Sequence, residues 1–117
     1  MQRVTLTGGL IAALAVLFVA GTPTVARAAD AAAGEKVYAA QKCSMCHSVA
    51  GKGGKSSPLD GVGSKLTAYQ IKAWIVDPIT AAKTAASTKK PPMPKKYDKL
   101  PAADIDSLVA YMASLKK

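Results

Sequence analysis

Five consecutive residues carry the chemistry of this chain: Cys43-Ser44-Met45-Cys46-His47. Two cysteines three apart, with a histidine directly after the second, read as a c-type haem attachment site. One turn brings both sulfurs to the same edge of a porphyrin, where each can form a thioether to a vinyl group. The next residue then places its imidazole under the iron. His47 is the single histidine in the sequence, so it is the only candidate for the proximal nitrogen ligand. A redox dithiol of the thioredoxin sort belongs near a βαβ pattern, which this sequence lacks. Structural zinc wants four ligands, usually two cysteine pairs. Two cysteines and one histidine fall short of that.

The iron then needs a sixth ligand or keeps an open site. Of the four methionines, Met1 belongs to the leader, and Met45 lies inside the attachment loop, unable to cross to the other face. Met112 sits on the apolar stripe of the last predicted helix and reads as core. Met93 stands in Pro91-Pro92-Met93-Pro94, where each proline fixes its own φ and biases its predecessor. Methionine is often adaptable core filler. A polar, proline-stiffened loop is a poor place for filler, so Met93 is read as the distal ligand.

The N-terminal part is expected to be a leader rather than domain. Arg3 supplies a positive start, and Leu10 to Ala20 is an apolar run of eleven residues, short for a membrane span. Pro23 breaks it, and Ala26-Arg27-Ala28 fits small residues at −3 and −1. We expect residues 1–28 to be a secretory signal peptide cut after Ala28; the alternative is an uncleaved anchor. The remaining segment, residues 29–117, is expected to be one domain of 89 residues. A chain that small buries only about 60–65% of its unfolded surface. A covalently held haem would fill the core that the polypeptide cannot. Export also bears on the cysteines, because an isolated pair in an oxidising compartment tends toward a disulfide unless haem takes it.

That segment holds fourteen lysines, no arginine and seven acids, a formal charge of about +7. A basic balance raises nucleic acid as a partner. The lack of arginine, the few aromatics and the expected export speak against it. Steering toward an acidic partner protein is the better reading. Lys42, Lys52, Lys55, Lys89, Lys90, Lys95 and Lys96 flank the two ligand segments and are expected to ring an exposed haem edge.

The positioning elements are helical. Asp30 to Lys42 is predicted as a helix with acids early and lysine late. Ser48 to Ser57 and Pro58 to Gly63 are rich in turn residues. Thr67 and Gln70 form a capping box ahead of the Ile71, Trp74, Ile75 stripe, and Asp77-Pro78 should end that helix. Ile79 to Lys90 reads as a surface loop or a weak short helix. The last helix should begin with Pro101 as its first residue and bury Ile105, Leu108, Val109, Met112 and Leu115. No strand signal and no internal repeat is visible.

With these residues in view, the chain resembles the small single-haem class I cytochromes c of bacteria. The likeness runs from Asp30 to Lys117: Gly34 and Tyr38 before the attachment motif, Pro58-Leu59 with Gly61-Val62-Gly63, the Trp74 to Pro78 helix end, Met93-Pro94, then Leu108 and Tyr111. The resemblance implies an all-α fold in which N- and C-terminal helices cross around one haem c, with one or two shorter helices. It implies Cys43 and Cys46 as covalent haem attachments, with His47 and Met93 as axial ligands. It implies that the Pro58 carbonyl accepts from the His47 Nδ1–H, which orients the imidazole. Trp74 is either core or a donor to a haem propionate. The implied activity is one-electron outer-sphere transfer in the periplasm with acidic redox partner proteins, not enzymatic turnover. A haem-based small-ligand sensor with a labile methionine and a subunit of a larger oxidoreductase are the alternatives.

Overall fold

The computed structural model describes residues 30–117, so the predicted leader lies outside the described residues. The order of elements is helix α1 (Ala31–Ala40), a 3-10 turn (Cys43–Met45), strands β1 (His47–Val49), β2 (Lys52–Gly53) and β3 (Ser57–Pro58), helices α2 (Val62–Lys65), α3 (Ala68–Val76) and α4 (Pro78–Thr84), a second 3-10 turn (Tyr97–Lys99), and α5 (Ala102–Ser114).

Asp30 caps α1 by accepting the Ala32 N–H at 2.8 Å. The helix stops where Lys42 turns left-handed at φ 55°, which throws the chain into the attachment turn. α1 packs across α5, the most extensive pairing among the described elements. Gly34 makes the crossing possible: a Cβ there would stand 1.9 Å from the Ser107 carbonyl oxygen and 2.7 Å from Tyr111 Cβ. One turn on, the Tyr38 and Tyr111 rings meet edge to face, with centroids 5.6 Å apart. Tyr38 belongs with Ile71, Ile75, Tyr97, Ile105, Leu108 and Met112 to the buried cluster, and Tyr111 packs against it.

The capping box of α3 is formed as predicted. The Gln70 N–H donates to Thr67 Oγ1 at 3.2 Å, and the Thr67 N–H donates to Gln70 Oε1 at 2.9 Å. α3 ends at Val76, yet the chain is helical again at once. Pro78 occupies the first position of α4, where its missing N–H is no loss and its fixed φ suits a helix. The weak-helix reading of the first part of Ile79 to Lys90 is therefore the correct one. α5 starts one residue later than predicted, with Pro101 as the flanking residue.

Three short strands stand where the sequence shows no strand signal. β1 pairs antiparallel with β2 (Ser48 with Gly53) and parallel with β3 (His47 with Ser57, Ser48 with Pro58). Strands of two or three residues carry no readable alternation. They exist because the loop wraps back on the attachment motif. Gly53, at φ 113°, lets it do so, since a Cβ there would lie 2.2 Å from the His47 carbonyl oxygen.

Candidate functional site

All six residues singled out from the sequence line one cavity of about 1060 Å³: Cys43, Cys46, His47, Pro58, Trp74 and Met93. The attachment turn lies on one side of it. α3 contributes Ile71, Trp74 and Ile75, α4 contributes Pro78 and Ala82, and α5 contributes Leu108 and Met112. The walls are therefore largely apolar, with polar groups confined to a few positions, as expected of a site for a large flat ligand.

Cys43 is half-buried and Cys46 exposed, and no disulfide joins them. Burial pushes the Cys43 thiol up, opposed by a backbone hydrogen bond and by the charge of Lys96. His47 is held twice. Its carbonyl accepts from the Tyr38 hydroxyl at 3.3 Å. Its Nδ1 lies 2.8 Å from the Ser57 carbonyl oxygen. A carbonyl only accepts, so the ring proton belongs on Nδ1, and Nε2 keeps its lone pair for a metal. Burial, with smaller effects from Cys43 and Tyr111, pushes the Tyr38 phenol up to about 12. It is a neutral donor at any ordinary pH.

The carbonyl that orients the histidine is thus Ser57's, not Pro58's, and the expectation for Pro58 is corrected. The cause is the parallel register, which sets Ser57 beside His47 and Pro58 beside Ser48. Successive carbonyls of an extended strand point to opposite edges. Pro58 lines the cavity but does not hold the imidazole.

Met93 is half-buried and packs against the core cluster from its prolyl loop. Lys95, two residues on, forms an exposed ion pair with Asp77 at the α3–α4 junction at 3.7 Å. Met112 is 7% exposed and belongs to the core, as read. Trp74 is half-buried on the cavity wall. Of the seven lysines predicted around the opening, Lys42, Lys89, Lys90 and Lys96 line it; Lys52, Lys55 and Lys95 do not. Lys65 and Lys83 join the lining instead, brought there by α2 and α4. Ser57, Tyr38, Lys65 and Lys83 were not legible as site residues, because each arrives through the fold rather than through spacing to the motif.

The cytochrome c family model matches residues 31–116. The chain belongs to the cytochrome c family. No curated protein and no solved structure matches it. Membership makes it a haem c-binding electron-transfer protein, and the Cys43 and Cys46 pair fits one covalent haem. The residues present suit that group: two thiols and an imidazole nitrogen on one segment, and a thioether on another, bordering a single apolar space. Family members serve generally as electron carriers rather than enzymes, and they work with redox partner proteins.

Proposed function

We propose that this chain is an exported, soluble one-electron carrier of the periplasm. In this reading residues 1–28 direct export and are removed after Ala28, leaving residues 29–117 as the carrier domain. Among the described residues no helix is long and apolar enough to cross a membrane. Cys43 and Cys46 would hold one haem c by thioethers, and His47 Nε2 and Met93 Sδ would bind its iron. The haem supplies an iron that shifts between two oxidation states. The observation that carries the reading is the convergence of these four side chains on one cavity.

Each residue then has a task. Ser57 and Tyr38 fix His47 so that its ring need not reorient between oxidation states. A thioether opposite an imidazole favours the reduced iron relative to two nitrogen ligands, so Met93 raises the potential. Binding of the iron by both His47 and Met93 would exclude exogenous ligands and leave outer-sphere transfer. Trp74, half-buried on the cavity wall, would pack against the haem or offer its indole N–H to a propionate. The lysines at the opening steer an acidic redox partner toward it.

The test is spectroscopic. Purified wild type, oxidised and reduced, is expected to show a six-coordinate low-spin spectrum that carbon monoxide does not alter at neutral pH. Met93→Ala is expected to bind carbon monoxide and to lose the thioether-dependent band. Wild type that binds carbon monoxide as readily as the variant would instead make the chain a small-ligand sensor.

A further inference from the structure

Strand β1 begins with His47, and the bonds along its edges decide where that imidazole lies. On the β3 side they run in order. The Ser57 N–H donates to the Cys46 carbonyl at 3.2 Å, the His47 ring meets the Ser57 carbonyl at 2.8 Å, and the Leu59 N–H donates to the Ser48 carbonyl at 2.8 Å. Alternate residues of a strand turn to the same edge. The next donor toward β3 is therefore the Ala50 N–H, and its backbone acceptor would be the Leu59 carbonyl. That carbonyl is taken: it accepts the Val62 N–H at 3.1 Å as the chain turns into α2. Asp60 supplies the missing acceptor, its Oδ1 taking the Ala50 N–H at 2.9 Å. A side-chain carboxylate thus closes a ladder that the backbone leaves one rung short.

The rung falls where β1 needs it. Ala50 and Gly51 form the two-residue turn between β1 and β2, both left-handed, at φ 50° and 76°. Alanine adopts that conformation at a cost that glycine avoids. A charged acceptor on its N–H holds it there. Asp60 is also the one carboxylate among the described residues that line the cavity, and it is half-buried.

We propose that Asp60 is a positioning residue for the axial histidine. By closing the β1–β3 ladder it keeps the register in which the Ser57 carbonyl accepts from the His47 Nδ1–H. This rests on the haem reading and deepens it. Without that rung the turn relaxes, and a tilt of β1 loosens the contact at Nδ1. An imidazole whose N–H is less firmly held is a poorer donor to a metal at Nε2. The charge of Asp60 acts separately, because a carboxylate at the cavity favours the oxidised, more positive iron.

Two substitutions separate the roles. Asp60→Asn keeps an acceptor oxygen and removes the charge, whereas Asp60→Ala removes both. Thr67→Ala, which breaks the α3 cap outside the sheet, controls for a general loss of stability. The readouts are the reduction potential of the holoprotein and, by NMR of its reduced state, exchange of the His47 Nδ1 proton and of the Leu59 amide. In Asp60→Ala both protons should exchange about tenfold faster than in wild type. In Asp60→Asn and Thr67→Ala they should stay within about threefold. Both Asp60 variants should have a raised potential, and the alanine variant's should be the higher, because it alone also loosens the imidazole. Ala50 is exposed and water can take its N–H, so the alanine variant is expected to fold. Exchange in Asp60→Ala equal to wild type, exchange in Asp60→Asn or Thr67→Ala as fast as in Asp60→Ala, or equal potentials in the two Asp60 variants overturns the proposal. A wild type that carries no haem overturns the haem reading beneath it as well.

Discussion

The α1–α5 crossing and the wall formed by α4 and the Met93 loop are built on opposite principles. At the crossing, backbone meets backbone. Gly34 removes the one side chain that would hold the helices apart, the two tyrosine rings interlock beside it, and Leu108 and Met112 are buried behind. In the other wall every residue from Lys83 to Pro92 is exposed, and Met93 is half-buried against a cavity of about 1060 Å³. The helix–helix contact at the crossing is made by polypeptide atoms, and Tyr38, Leu108 and Met112 behind it also face the cavity. The wall is shaped for something else to pack against. A small domain divided in this way draws part of its core from its cofactor.

The largest expected effect breaks the wall and spares the crossing. Replacing both attachment cysteines, Cys43→Ser with Cys46→Ser, should abolish covalent haem and the cooperative thermal transition. Hydrogen exchange should then retain its slowest amides in α1 and α5 and lose protection first in α4 and the Met93 loop. Equal loss everywhere would show that the two regions do not differ in this sense.

Next comes an attack on the crossing itself. Gly34→Val drives a side chain into the Ser107 carbonyl, which is backbone and cannot step aside. We expect a cost of about 3 kcal/mol or more in denaturant unfolding. A value under about 1 kcal/mol would mean that the helices can shift apart at little cost.

Alkali probes the same region. Tyr38 has its folded value raised to about 12, from an ordinary value near 10. Folding therefore favours its neutral form. That contribution is fully present below about pH 10 and is lost as pH rises through about 12. Stability should fall across this window by about 2 kcal/mol, and Tyr38→Phe should reduce the slope there.

Smaller effects belong to local devices. Thr67→Ala removes half of the α3 capping box and should cost about 1 kcal/mol. Lys95→Met removes the 3.7 Å pair with Asp77, whose partners are both well exposed, and should change stability by less than about 0.5 kcal/mol. An appreciably larger loss would make that pair a necessary anchor of the Met93 loop.

What the sequence could disclose follows from the range of each interaction. The attachment motif, the α3 capping box and the stripe of α5 are local patterns, and each is found where the spacing places it. The helical start after Pro78 was ambiguous because a proline that ends one helix is also well suited to begin the next. Strands of two and three residues leave no periodicity to detect. The exchange of Pro58 for Ser57 beside His47 turns on a register of one residue between segments ten apart, and composition does not encode it. Neighbourhood in the chain identifies four lysines of the opening, Lys42, Lys89, Lys90 and Lys96, but also points to Lys52, Lys55 and Lys95, which lie off it, and misses Lys65 and Lys83, which α2 and α4 bring there.

Intact-mass measurement of the exported protein, made in cells with haem maturation machinery, bears most directly on the central claim. We expect the mass of residues 29–117 plus one haem, with neither Cys43 nor Cys46 available to a thiol reagent. The bare polypeptide mass with both thiols reactive would contradict it.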